Sequence, residues 1–208
     1  ASSMARRFCS KPTLQRRGLG AGREATGAWI STSHVGEIDA EAASNIARTL
    51  VLLPYSRTIP LPETFDLRDY GFAPNPFHGF CTLATCKPKI RKAAAIGDWV
   101  IGTGSKTRGR EGHLVYAMRV TDALTFDQYW KDARFQAKRP NLRGSKKQAF
   151  GDNIYHRDRQ TKRWAQVDSH HSLPDGTPNS RNIDNDTQTD RMLISDDFIY
   201  WGGSGPTI

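Results

Sequence analysis

The chain has no apolar run approaching the roughly 18 residues a membrane-spanning helix needs. Runs such as Leu50 to Leu53 and Leu114 to Met118 are far too short for such a helix. Cysteine is scarce: Cys9, Cys81 and Cys86 cannot form a disulfide framework. The spacing C-x4-C without a second pair is not that of a zinc site. A reducing setting, the cytoplasm, is the expectation. Hydrophobic residues are few at 37%, so part of the 208 residues lies outside any core. Acidic charge is in deficit, with Asp+Glu 21 against Lys+Arg 30, a net +9. That balance favours a polyanionic partner without the charge density of a purely electrostatic binder.

The basic excess begins early. Residues 1–35 carry Arg6, Arg7, Lys11, Arg16, Arg17 and Arg23 against one acid, Glu24, among Ser, Gly and Ala. Such a composition suits an organelle transit peptide, but a disordered basic arm or translated upstream sequence explains it more simply. One helix is expected in residues 39–53, where Ala42, Ile46, Leu50 and Leu53 share a face behind an Asp39 cap. Pro54 ends it. Residues 1–64 thus read as a largely disordered extension, and 65–208 as the folded domain.

Within that domain, Pro88 at a helix N1 position opens a short helix with Ile90, Ala93 and Ala94 on one side. Trp99–Ile101 and Leu114–Val120 read as strands across a Gly-rich loop. Thr125-x-x-Gln128 is a capping box ahead of Phe126, Tyr129 and Trp130. Residues 175–190 read as loop, and Met192–Ile194 with Phe198–Trp201 as a closing strand pair. The pattern predicts an α+β fold: a small, partly open SH3-like β-barrel decorated by short helices.

Three segments carry candidate chemistry. The first, around Gly97–Lys106, lacks the spacing of a dinucleotide fingerprint and the G-K-[ST] of a P-loop. It offers Thr103, Ser105 and Lys106 beside glycines, where backbone N–H groups can approach a ligand. The second, Lys138–Lys147, holds Lys138, Arg139, Arg143, Lys146 and Lys147, with Asn141 and Gln148 as amides. Arg forks and Lys charges in a loop suit phosphate contact, against the plain alternative of a solvated surface. The third places Asp152, Asn153, Tyr155, His156, Asp168, His170 and His171 close in sequence. Asp–His pairs can do acid–base work, although no spacing matches a metal site, and loop-fixing hydrogen bonds explain the cluster as well. Cys81 and Cys86 read as small hydrophobes; a catalytic thiol with one of the histidines is conceivable, but no strong signature marks it.

The strings Asp69-Tyr-Gly-Phe-Ala-Pro-Asn-Pro-Phe77, Cys81-Thr-Leu-Ala-Thr-Cys-Lys-Pro88 and Gly97-Asp-Trp-Val-Ile-Gly-Thr-Gly-Ser105 resemble the nucleotide modification associated domain 2 family. So do Arg139–Lys147, Gly151–His156, Asp168–Ser172 and Ile194–Pro206. The resemblance covers about residues 68–206 and implies a bacterial or phage protein linked to modified nucleic-acid bases. Gly97–Ile101 with Leu114–Val120 is also similar to PUA-like base-binding barrels of the EVE and YTH type. Residues 1–64 fall outside the resemblance, and the stop at Ile208 reads as a truncated C-terminus.

The expected function is therefore a binding module for a modified base or nucleotide. Trp99, Tyr155 and Trp201 would stack on the base; Thr103, Ser105, Lys106, Asn141, Arg143, Lys146, Lys147 and Asn153 would hold the rest of the ligand. The alternative is an enzyme on the same ligands using His156, Asp168, His170 or His171. No cofactor or metal and no membrane is expected. The partner is nucleic acid or a modified nucleotide, and the oligomeric state stays open.

Overall fold

The computed structural model describes residues 16–17, 28–31, 74–104 and 109–207. The expected helix at 39–53 lies outside these residues, as do Ser105 and Lys106. The chain divides into two compact units: residues 1–71, 97–119 and 197–208, and residues 72–96 and 120–196.

The first unit is a five-stranded sheet of β1 (Arg16–Arg17), β2 (Ala28–Ser31), β4 (Trp99–Thr103), β5 (Leu114–Arg119) and β10 (Asp197–Tyr200), in that order. β2 runs parallel to β4 and the other pairs are antiparallel. Two short strands of the expected extension thus pair into the sheet. Ile101, Leu114 and Ala117 make its core, with Trp99 and Trp201 packed on it half-buried. Gly102 stands opposite Tyr116. A Cβ there would overlap the Tyr116 ring, so only glycine lets the ring lie across the strand.

The second unit holds a three-stranded antiparallel sheet, with β9 (Met192–Ser195) between β3 (Cys81–Leu83) and β6 (Asp122–Leu124). A hairpin of β7 (Tyr155–Arg157) and β8 (Trp164–Gln166) stands apart. Four short helices complete it: α1 (Pro88–Ala93), α2 (Phe126–Lys131), α3 (Lys146–Ala149) and α4 (Ser180–Asp186). Its core gathers Ala84, Phe126, Tyr129, Phe135, Ile154, Tyr155, Met192 and Ile194, all essentially inaccessible.

The fold is thus mixed α and β with small sheets, and the described strands close no barrel. β9 and β10 show why. Only Asp196 separates them, too little for a hairpin turn, so they join different sheets instead of pairing. No helix among the described residues is long and apolar enough to cross a membrane.

Candidate functional site

Asp186 is the centre of a buried cluster in the second unit. It closes α4, whose Asn179 side chain accepts from the Asn182 N–H at the opposite end. With no exposure left, its carboxylate is fully engaged. Oδ1 accepts from the Cys86 backbone N–H at 2.8 Å and from Asn185 Nδ2 at 3.0 Å. Oδ2 accepts from the Tyr155 hydroxyl at 2.9 Å and lies 3.0 Å from His171 Nδ1. That last contact has ion-pair closeness without the alignment of a linear hydrogen bond. Burial alone would raise the carboxyl, but His171, Arg91 and Tyr155 together hold it below the usual carboxylate value.

The other face of the imidazole meets a thiol. His171 Nε2 is 3.9 Å from Cys86 Sγ. Cys86 stands just before α1 in the left-handed region (φ 55°), as does Lys87 (φ 47°), a conformation a non-glycine residue adopts only when its surroundings hold it. Arg91 supplies the hold. Fully buried, it donates through Nε to the Cys86 carbonyl at 3.0 Å and through its terminal nitrogens to the carbonyls of Asp186, Thr189 and Arg191. Burial brings its guanidinium down to about 10, against Asp186, whose charge raises it.

His171 is fixed as firmly. Its N–H donates to Ser169 Oγ at 3.2 Å, and its carbonyl accepts from Asn182 Nδ2 at 2.7 Å and Gln166 Nε2 at 3.4 Å. Gln166 Nε2 also reaches the Tyr155 hydroxyl at 3.2 Å. His170 packs edge-on against His171 with ring centroids 4.6 Å apart, and burial, then the neighbouring His171, holds it well below the ordinary histidine value.

Of the residues expected to act, only His171 and Tyr155 join this cluster directly, with His170 against its edge. Tyr155 is wholly buried, so its ring faces the core and not a ligand. Asp168 is exposed, its carboxyl beside Gly176. His156 stacks on Trp130 at 4.2 Å. Asn153 is buried and donates to the carbonyls of Tyr129 and Phe135. Asp152 accepts from Thr82 at 2.7 Å and Tyr129 at 2.8 Å in a separate polar knot of the core. Lys138 is buried too, donating to the Asn75 carbonyl and Oδ1 and to the Phe80 carbonyl.

The rest of the basic segment is outside. Asn141, Arg143, Lys146 and Lys147 are exposed. Asn141 Oδ1 accepts from the Arg143 N–H, and a Ser145–Gln148 capping box fixes α3. Arg143, Lys146 and Lys147 form no ion pair among the described residues, and Lys147 sits 5.7 Å from the Phe77 ring centroid. Trp99, Thr103 and Trp201 belong to the first unit and keep partial exposure.

Sequence reasoning missed Cys86 as a site residue, and Asp186 and Arg91 altogether. Asp186 lay in what read as loop, and the only signal for Cys86 was its place just ahead of Pro88.

These observations define a mixed α/β protein carrying a buried thiol–imidazole–carboxylate cluster. Residues 67–208, more than two thirds of the chain, match the model of the nucleotide modification associated domain 2 family, and the chain belongs to that family. Membership gives the protein a role in nucleotide-modification systems. No curated protein and no solved structure matches the chain.

Proposed function

We propose that the protein binds nucleic acid or a modified nucleotide in the cytoplasm as the recognition component of such a system. The observation that carries this reading is the trio Arg143, Lys146 and Lys147. They are exposed and without ion pairs among the described residues, on backbone pinned by two local capping arrangements. A fixed display of unpaired cations is what phosphate contact needs, because little ordering entropy is lost on binding. Asn141 gives its Oδ1 to its own turn. Trp99 and Trp201 keep enough exposure to stack on a base, and stacking of this kind contributes about 1–3 kcal/mol per base. Thr103, half-exposed at the end of β4, would hold the rest of the ligand, and Ser105 and Lys106 follow it in the sequence.

Salt dependence tests it. Replacing Arg143, Lys146 and Lys147 by Ala lowers affinity at all sequences alike and flattens the slope of log K against log salt by about 0.9 per lost contact on duplex DNA. Stability changes by no more than about 1 kcal/mol, as for other exposed charges. An unchanged slope returns the trio to plain surface.

An enzyme on the same ligands is the second reading. The observation in its favour is His171 against Asp186 at 3.0 Å, an acid–base pair made with a carboxylate other than Asp168.

A further inference from the structure

We propose that Cys86, His171 and Asp186 form a nucleophilic thiol centre that attacks the carbon of a C=O or C=N group in its substrate. The inference goes beyond nucleic-acid binding and does not depend on it.

The geometry is that of a relay. Cys86 Sγ faces Nε2 of the imidazole and the Asp186 carboxylate faces Nδ1, so one ring bridges the two groups through opposite nitrogens. A base hydrogen-bonded to a thiol and oriented by a third group is the arrangement that activates a cysteine. The same three side chains have donor atoms within 4.8 Å of one another, close enough to suggest a metal. A chelate is nevertheless the poorer description. An imidazole gives a metal one nitrogen, and here the sulfur and the carboxylate lie on different ones. Asp186 is already used, both oxygens holding the Cys86 N–H, Asn185 and Tyr155.

Every part is held before substrate arrives. Arg91 clamps the Cys86 carbonyl, Asp186 clamps its N–H, and Ser169, Gln166 and Asn182 fix the His171 backbone. Two consecutive left-handed residues, Cys86 and Lys87, are kept in place by this clamp. Such backbone strain persists only where the surroundings over-determine it. Cys86 keeps partial exposure, whereas Cys81, the other described thiol, has none. Titratable groups facing Cys86 include His171 and Asp186, with Arg91 from α1 and Tyr155 from β7 behind them.

The step balances without an oxidant. The Cys86 S–H bond breaks and its proton passes to His171 Nε2. Sulfur forms a bond to the substrate carbon, and the π pair of C=O or C=N moves onto the oxygen or nitrogen. When that pair returns, the bond to the leaving group breaks and the leaving group takes the proton from His171. Water, deprotonated by the same nitrogen, then displaces sulfur and regenerates the thiol. Asp186 is a positioning residue that keeps Nε2 directed at sulfur and stabilises the imidazolium.

Alkylation of the full chain with iodoacetamide from pH 5 to 10, read per cysteine by peptide mass spectrometry with no nucleic acid present, tests this. Cys86 is expected to reach half its maximal rate below pH 7, against about 8.5 for an ordinary thiol. At pH 6.5 it reacts about fivefold or more faster than Cys86 in His171→Gln, after allowing for the lower nucleophilicity of a low-pKa thiolate. Asp186→Asn falls between the two, and Cys81 stays unmodified. If the variants fail to fold, N-acetylcysteine in the same tube with the wild-type protein supplies the reference. An ordinary thiol profile for wild-type Cys86, or folded variants with an unchanged rate, overturns the proposal. So does stoichiometric zinc that protects Cys86 until it is chelated.

Discussion

Lys138 and Arg143 stand in one basic run of the sequence, yet they meet opposite environments. Lys138 has no exposure and donates to three oxygens, two of them from Asn75. Arg143 is exposed with no acid against it among the described residues. Removing a buried, hydrogen-bonded charge strands its partners, so Lys138→Met is expected to lower stability by about 3–5 kcal/mol. Arg143→Ala stays within about 0.5 kcal/mol of wild type. Urea denaturation of the two variants separates them, and equal midpoints would refute the distinction. Residue type announced the cation in both cases. It did not announce direction, because a charge run carries no periodicity that says which member turns inward. Tyr155 and Asn153 repeat the lesson: each was legible as a polar or aromatic group, and each faces the core.

Elements written in local chemistry were the readable ones. α2 begins at the Thr125–Gln128 capping box, with both reciprocal bonds made, and turns Phe126 and Tyr129 into the core as expected. α1 starts at Pro88, and β4 and β5 fall within two residues of the expected strands. Because α2 leans on its cap to present two core aromatics, Thr125→Ala is expected to cost about 1 kcal/mol. Thermal unfolding measures it, and no change would mean that packing alone sets the helix. α4 was not readable. Its Ser-Arg-Asn-Ile-Asp-Asn-Asp sequence is poor in helix formers, since Asn and Asp side chains compete for the backbone. Tertiary bonds make it a helix, Arg91 to the Asp186 carbonyl and Tyr155 to the Asp186 carboxylate among them. The thiol cluster shares that opacity, being assembled from positions 86, 171 and 186, which no sequence spacing connects.

At the scale of the molecule, the chain passes between its two units four times, so neither unit is a continuous segment. Among the described residues the second unit concentrates displaced titrations, and their signs define an alkaline stability profile. Burial lowers Lys138 from 10.5 to about 8 and Arg91 from 12.5 to about 10. A lowered folded value means that the unfolded chain binds more protons in between, so stability rises with pH across each window. Burial raises the Cys81 thiol above 9.0 and the Tyr129 and Tyr155 hydroxyls above 10.0, with Asp152 and Asp186 adding to the shift. Stability from these groups is complete below those ordinary values and is lost as pH rises beyond them. Between pH 8 and 9 Lys138 dominates, adding about 1 kcal/mol against a few tenths lost as the Cys81 thiol of the unfolded chain begins to ionise. Above pH 10 the three acids outweigh the two cations. The melting temperature of the second unit is therefore expected to rise from pH 8 to 9 and to fall beyond 10. In Lys138→Met the rise disappears while the fall stays. A wild-type melting temperature that declines steadily from pH 7 would mean that the three oxygens around Lys138 keep its ammonium charged into the tyrosine range.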